Sequence, residues 1–430
     1  MIKRPFFQLT SAKLRYDLVE PDPQEPGKIP IPPRMLLLLD EPLDSTRKTI
    51  LQEGDTVKTG QRLFLYQESR KYVTSTCTGT ITSIASYTGD FGKVSTYFII
   101  ERKNSEEKVN EFDDFADVPD LESAERHLTS LPGVPPFQTL ADPDNKIQTL
   151  VITGADMDLV STTCQYLTAT AMEEIKQGIG LLEKMTGITK SYITVPEGSR
   201  LTKELEGMRV IRIAPFHPHA LPEMIMKTHL NTVVPAGKSC EEMGVCFISP
   251  EALISIARAY RERCPGFEKV ITLVGKDGRR HRIKATIGTP IHRIFREFSL
   301  QVNEKDRIII GGPMKGISTY TLYHPVTPDM DTIIIQDRET IAYVSDYPCI
   351  NCGKCIKICP ANIPVNLLVR NIEADRYEDA ADLFDLNACI DCGLCSYVCT
   401  ARIPLFQYIK LGKHELLLIE SEQETEAANG

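Results

Sequence analysis

Eight of the thirteen cysteines fall into two copies of one spacing: Cys349, Cys352, Cys355 and Cys359, followed by Pro360, then Cys389, Cys392, Cys395 and Cys399. Each run reads C-x2-C-x2-C-x3-C. Thiolates bind soft metals, and a [4Fe–4S] cube needs one thiolate per iron. A tight loop with cysteines three apart supplies three of them. The loop cannot wrap the cube, so the fourth must come from elsewhere. Gly353 and Gly393 follow the second cysteine of each run, where a glycine lets the backbone bend closely. Pro360 turns the chain after Cys359, and Pro364 and Pro404 follow the runs at the same offset. Structural zinc is the competing chemistry. Zinc ribbons use paired C-x2-C knuckles with two ligands each, which leaves the third cysteine of each run without a role. A disulfide framework fits less well, because the opening MIKRPFFQLT lacks the apolar run of a secretory leader. Reduced thiols are the expectation in a cytoplasmic setting.

The spacing resembles that of bacterial two-cluster ferredoxins, in which the distal cysteine of each run ligates the other cluster. The resemblance implies two [4Fe–4S] clusters side by side. Cys349, Cys352, Cys355 and Cys399 would hold the first, and Cys389, Cys392, Cys395 and Cys359 the second. Residues 365–384 between the runs carry apolar side chains at helical spacing and predict one or two short helices.

The elements that must position these runs are varied. Residues 1–101 read as a β-rich module, with strands predicted near 35–40, 62–67, 79–83 and 97–101. It contains Gly54-Asp55-Thr56-Val57-Lys58-Thr59-Gly60-Gln61 and then Thr78-Gly79-Thr80-Ile81. This pattern resembles biotinyl/lipoyl-like barrel-sandwich domains. Lys71 stands too close to Gly79 for a carrier lysine on a hairpin tip, so a structural module is the expectation. Residues 102–146 are acidic and contain proline, as a linker would. Residues 147–265 alternate short strands (149–153, 191–195, 209–214) with helical stretches (159–185, 250–261), which predicts a mainly parallel sheet. Residues 266–335 return to strands at 269–274, 280–285 and 307–310, with a helix at 290–298. Lys276-Asp277-Gly278-Arg279 reads as a hairpin turn. Gly311-Gly312-Pro313-Met314-Lys315-Gly316 is a dense turn that lacks P-loop spacing and reads as structural. Residues 336–415 hold the cluster runs, and the acidic tail 416–430 is expected to be disordered.

A net charge of −9 excludes the basic footprint of a nucleic-acid binder. An apolar content of 42% with 25% charged residues is ordinary for globular domains. No stretch approaches the roughly twenty apolar residues of a membrane span, so membrane contact is expected through a partner.

The whole order resembles the C subunit of Rnf electron-transport complexes, and more distantly the A subunit of the sodium-pumping quinone reductase and the flavin subunit of respiratory complex I. The resemblance rests on the GD-x-V-x-x-GQ module, the α/β region, the β-rich region ending in GGPMKG, and the paired cysteine runs. It implies a multidomain α+β chain: an N-terminal barrel-sandwich hybrid, an α/β flavin-type domain, a β-grasp (SLBB) domain and a C-terminal ferredoxin-like dicluster domain. It further implies FMN and NADH chemistry in the α/β domain. Three family motifs depart from pattern here. The place of the Gly-rich flavin loop holds Leu131-Pro132-Gly133-Val134-Pro135-Pro136-Phe137, whose prolines remove N–H donors. The place of N-x-x-E-C-E-P holds Thr153-Gly154-Ala155-Asp156-Met157-Asp158-Leu159, which keeps acidic character at Asp156 and Asp158. The place of Y-P-x-G-x-E-K holds Pro215-Phe216-His217-Pro218-His219-Ala220. A degenerate nucleotide site is the expectation, with Asp156 and Asp158 the residues nearest any FMN.

His217 and His219 read as surface residues. Cys77, Cys164, Cys240, Cys246 and Cys264 read as small buried fillers. The expected function is that of an iron–sulfur electron-transfer subunit that is cytoplasmic and peripheral on the inner face of the membrane. Its expected partners are the membrane subunits of an Rnf-like or other redox complex, with cytochromes or ferredoxin among them. An FMN-containing NADH dehydrogenase subunit and a scaffold with structural clusters are the alternatives.

Overall fold

The computed structural model describes residues 13–109, 112–117, 119–199, 205–345 and 347–429. The opening MIKRPFFQLT and parts of the acidic stretch lie outside the described residues. The chain forms two compact units. One comprises Tyr16–Pro215 and Cys240–Glu339. The other comprises Met1–Arg15, Phe216–Ser239 and Thr340–Gly430.

The larger unit contains three main sheets. In the first, the strands Arg34–Leu39, Val94–Arg102, Gly79–Thr88 and Thr56–Val57 pair antiparallel in that order. Arg62–Leu63 pairs separately with Val73–Thr74. The inward side chains of Met35, Leu37, Leu39, Ile81, Phe98 and Ile100 alternate with outward ones and close one core.

The second sheet is wholly parallel, in the order Val210–Ile213, Ser191–Pro196, Thr149–Ile152, Val245–Ile248. All four residues of Thr149–Ile152 are buried, as expected of a central parallel strand covered on both faces. The helices Met172–Thr186 and Pro250–Glu262 pack on each other beside it. Ser249 caps the second of these by accepting from Ala252 N–H, with Pro250 at its first turn.

The third sheet runs Gly27–Lys28, Arg280–Thr286, Glu268–Val274, Thr332–Gln336, Arg307–Ile310, Ile317–Thr319. Its centre pairs Glu268–Val274 parallel with Thr332–Gln336, and the hairpin Glu268–Val274/Arg280–Thr286 is antiparallel. The helix Ile291–Glu297 buries Ile291, Ile294 and Phe295 in the core of this sheet. Gly27–Lys28 lies in the first module by sequence, yet joins this third sheet beside Arg280–Thr286.

The stretch expected to be an acidic linker, 102–146, instead carries three short helices, Asp113–Asp117, Leu121–Leu128 and Phe137–Ala141. Phe115, Leu128 and Phe137 are fully buried in the core of the α/β region. The acids face solvent while the interleaved apolar residues fold inward, an amphipathic pattern that net charge conceals.

The second unit is helical: Lys354–Ile358, Val365–Ile372, Tyr377–Asp382, Leu394–Val398 and Leu405–Asn429. The last helix runs through the tail expected to be disordered. Glu, Gln and Ala are good helix formers, and the helix is anchored where Phe406, Ile409 and Leu416 enter the core. Among the described residues, no helix is long and apolar enough to cross a membrane.

Candidate metal centre

Each cysteine run folds as a loop followed by a one-turn helix. Gly353 and Gly393 stand at the helix starts with φ of +69° and +70°, the left-handed conformation that reverses the chain after the second cysteine. The two short helices pack against each other. Cys352 Sγ approaches Thr400 Oγ1 at 3.9 Å, which brings the first loop beside the end of the second run.

Two cavities result. One is lined by Cys349, Cys352, Cys355 and Cys399, with Val369, Ile403 and Leu405 as apolar wall. The other is lined by Cys389, Cys392, Cys395 and Cys359, with Ile363, Val365, Phe406 and Ile409. Three cysteines of one run and the distal cysteine of the other surround each space. Backbone N–H groups point at the sulfurs: Asn351 N–H lies 3.4 Å from Cys349 Sγ, and Ile403 N–H lies 3.4 Å from Cys399 Sγ. Burial pushes the Cys389 thiol up to about 12 and the Cys392 thiol up to about 11, and raises Cys395 and Cys355. A bound cation reverses that preference, because a coordinating thiol is deprotonated.

The surface position expected of His217 is corrected by the structure. The residue is buried at 4% exposure, with Nε2 2.7 Å from the backbone oxygen of Cys392. A carbonyl only accepts, so Nε2 carries the hydrogen. Gly237 N–H donates to Asn387 O at 3.3 Å, so the segment Phe216–Ser239 touches the second run at Cys392 and, two residues before the run begins, at Asn387. Nothing in local sequence signals this, because the contact spans 175 positions. Lys413 Nζ reaches Cys389 O at 2.8 Å and Asp391 Oδ1 at 2.9 Å from the last helix.

Asp156 and Asp158 are not in this centre; both belong to the larger unit. Asp156 accepts from Ser161 Oγ (2.8 Å), Cys164 N–H (2.9 Å), Gln165 N–H (3.3 Å) and Gln165 Nε2 (2.9 Å). It thereby caps the helix Thr163–Thr170, whose own Thr162 makes no side-chain cap. Burial raises its carboxyl, and these hydrogen bonds oppose the rise. Asp158 accepts from Met314 N–H (3.2 Å) and Lys315 N–H (2.8 Å) of the glycine-rich turn. A Cβ on Gly312 would lie 2.2 Å from Asp158 Cγ, so glycine is required there. That turn is a small anion nest already filled by the protein's own carboxylate.

The place of the flavin loop is closed in the same way. Gly133 O accepts from Ser249 Oγ at 3.1 Å, Pro132 O accepts from Ser255 Oγ at 2.9 Å, and Gly133 N–H donates to Pro328 O at 2.9 Å. Val134 N–H donates to Leu131 O (3.0 Å) and Phe137 N–H to Pro135 O (2.9 Å), and Pro132, Pro135 and Pro136 carry no N–H, so the loop's donors are engaged within the protein and do not fit an FMN phosphate. Cys77 and Cys246 are buried free thiols, pushed up to about 11 and about 12 by burial, which suits packing.

Residues 348–403 match the 4Fe-4S dicluster domain family. The chain is therefore a multidomain α+β protein ending in an iron–sulfur dicluster domain. Its relatives are C subunits of ion-translocating oxidoreductase complexes. It is 24% identical over 409 residues to the C subunit of the proton-translocating ferredoxin:NAD(+) oxidoreductase complex of Clostridium ljungdahlii, covering 90% of this chain and 89% of that one. It is 27% identical over 264 residues to the C subunit of the ion-translocating oxidoreductase complex of Vibrio cholerae, covering 58% of this chain and 34% of that one. The match to the C subunit of the Na(+)-translocating ferredoxin:NAD(+) oxidoreductase complex of Acetobacterium woodii is 23% over 235 residues, covering 52% of this chain and 53% of that one. The chain thus spans between a third and about half of the length of several of these relatives. The expected kinship with these subunits is borne out. Among solved structures, an NAD+-reducing [NiFe]-hydrogenase in the H2-reduced state aligns over 70% of this chain and 63% of its own at 14% identity, with a TM-score of 0.43.

Proposed function

We propose that this chain is the electron-transfer subunit of a membrane-associated redox complex of the ferredoxin:NAD(+) oxidoreductase type. It would relay single electrons through two [4Fe–4S] clusters. One cluster would be held by Cys349, Cys352, Cys355 and Cys399, the other by Cys389, Cys392, Cys395 and Cys359. The observation that carries this reading is the pair of four-cysteine cavities, each built from both runs. Three cysteines at one interval in each run, where a zinc knuckle uses two, favour a cube over tetrahedral zinc.

Bound clusters supply one-electron chemistry, and the protein's own groups shape it. Apolar walls at Val369, Ile403, Phe406 and Ile409 would limit water, and backbone N–H groups at Cys349 and Cys399 would offset the negative charge of a thiolate-bound cluster. In the larger unit we read a barrel-sandwich module, a flavin-type α/β domain without a flavin site, and a β-grasp domain. The sheet orders given above support these assignments. The α/β domain would serve as scaffold, and the membrane subunits would be the docking partners.

The test is anaerobic purification followed by iron analysis, visible absorbance and EPR after dithionite. We expect two interacting cluster signals and a broad thiolate-to-iron absorbance without flavin peaks. Flavin that bleaches with NADH overturns the scaffold role of the α/β domain. Iron-free, EPR-silent protein overturns the whole reading.

A further inference from the structure

The second cysteine run repeats the first forty residues later, so Asn351 and Asp391 hold the same place in the two loops. Both adopt positive φ, of 54° and 52°. Their partners differ. Asn351 N–H donates to Cys349 Sγ at 3.4 Å, and its Oδ1 lies 3.8 Å from that sulfur. This Oδ1 accepts from Arg370 Nη2 at 2.8 Å and from Asn366 Nδ2 at 3.4 Å. Arg370, Asn366 and Glu373 also line the cavity of Cys349, Cys352, Cys355 and Cys399, of which Cys352 is exposed. In the second loop, Asp391 Oδ1 accepts from Lys413 Nζ at 2.9 Å, so carboxylate and ammonium offset each other. Apart from its cysteines, no polar or charged side chain lines the cavity of Cys359, Cys389, Cys392 and Cys395, and Cys392 and Cys395 are buried.

We propose that Arg370 is a tuning residue: acting through Asn351, it holds the potential of the first cluster above that of the second, so that a single electron shared by the pair rests on the side of Cys352. This rests on the ligand assignment above. Reduction adds a negative charge to a cube already made anionic by its thiolates. Apolar, water-poor walls oppose that charge, whereas exposure, N–H donors to sulfur and a nearby cation favour it. The second cavity has the first kind of surroundings and the first cavity the second kind. Arg370 also neutralises the Asn351 oxygen that faces Cys349, and it polarises the residue whose N–H meets the sulfur. Glu373 works against Arg370 from the same wall, but Arg370 has the shorter route, being bonded to the donor of Cys349. One electron entering the pair reduces one cube and leaves the other oxidised; no bond forms or breaks and no proton moves.

The experiment is a potentiometric EPR titration of the anaerobic, cluster-loaded full chain and its variants. Iron per chain and the EPR of fully reduced protein are measured first, and the signal lost in Cys352→Ala marks the first cluster. We expect that signal to appear at the higher potential. Arg370→Gln should lower it, shifting the electron toward the second cluster by about fivefold and leaving the second step unmoved. Arg370→Lys should keep most of the native value, and Glu373→Gln should move the first step upward. Asp391→Asn should raise the second step alone, by leaving Lys413 without its carboxylate. Arg370 is exposed, so the effect of Arg370→Gln should shrink as ionic strength rises, which a merely structural role would not produce. A first cluster at the lower potential, or a first step that Arg370→Gln leaves in place, overturns the proposal while the full iron content upholds the ligand reading. Iron-free protein overturns that reading and this inference with it.

Discussion

Cys352 lines the first cavity with Cys399 of the other run, so each loop depends on both. Cys352→Ala should remove one cluster and lower iron content by about half, with the second cluster weakened through the shared helix packing. Full iron in this variant, measured per chain with the EPR spectrum, contradicts the ligand set. His217 is the second residue with a sharp expectation. Its Nε2–H satisfies the buried Cys392 carbonyl, and an unsatisfied buried acceptor costs about 1–3 kcal/mol. His217→Phe should release iron from the second cluster faster under an anaerobic chelator challenge, and His217→Gln should recover part of the loss. Equal rates in all three proteins mean that the ring only fills space. The cysteines were legible because ligand spacing is local. The histidine was not, because its partner is remote in sequence.

At the scale of elements, the glycine-rich turn 311–316 and the loop carrying Asp158 form one interlocked feature. The turn reads as structural from its spacing, and the structure supplies the reason: its N–H groups hold Asp158. Gly312→Ala should destabilise the larger unit by about 1–3 kcal/mol, through overpacking against the carboxylate. Asp158→Ala should cost a similar amount through unsatisfied N–H groups. The double variant should cost less than the sum, because removing the carboxylate relieves the clash. Urea denaturation of the four proteins closes the cycle, and simple additivity contradicts the interlock. Strands and helices with clean periodicity, such as Glu268–Val274 and Pro250–Glu262, were readable to within a residue or two. The helices within 102–146 were missed, because each is too short to show a period and charge dominates the composition.

At the scale of the whole molecule, pH acts through Asp331 of the larger unit. Burial first, then the neighbouring Asp156, pushes its carboxyl up from 3.8 to about 6; Lys269 opposes this and Asp158 adds to it. The folded state therefore holds a proton that the unfolded chain has released. The stabilising contribution is full below the unfolded value of 3.8 and is lost as pH rises through about 6. Asp331→Asn should raise stability above that pH, by on the order of 1 to 3 kcal/mol, and change little at a pH near 4. Urea midpoints at the two pH values check this, and an equal gain at both contradicts it. The sequence by itself determined the metal chemistry, the parallel sheet and the kinship with the Rnf-type relatives, because thiol spacing and hydrophobic period are written within a few residues. Only the tertiary structure decided which cysteines share a cavity. It also decided that Asp156 and Asp158 are held by the protein's own N–H groups, and that Phe216–Ser239 returns to cover the second run. Each of these joins groups far apart along the chain, and burial leaves no water to satisfy a donor or acceptor that fails to find its partner.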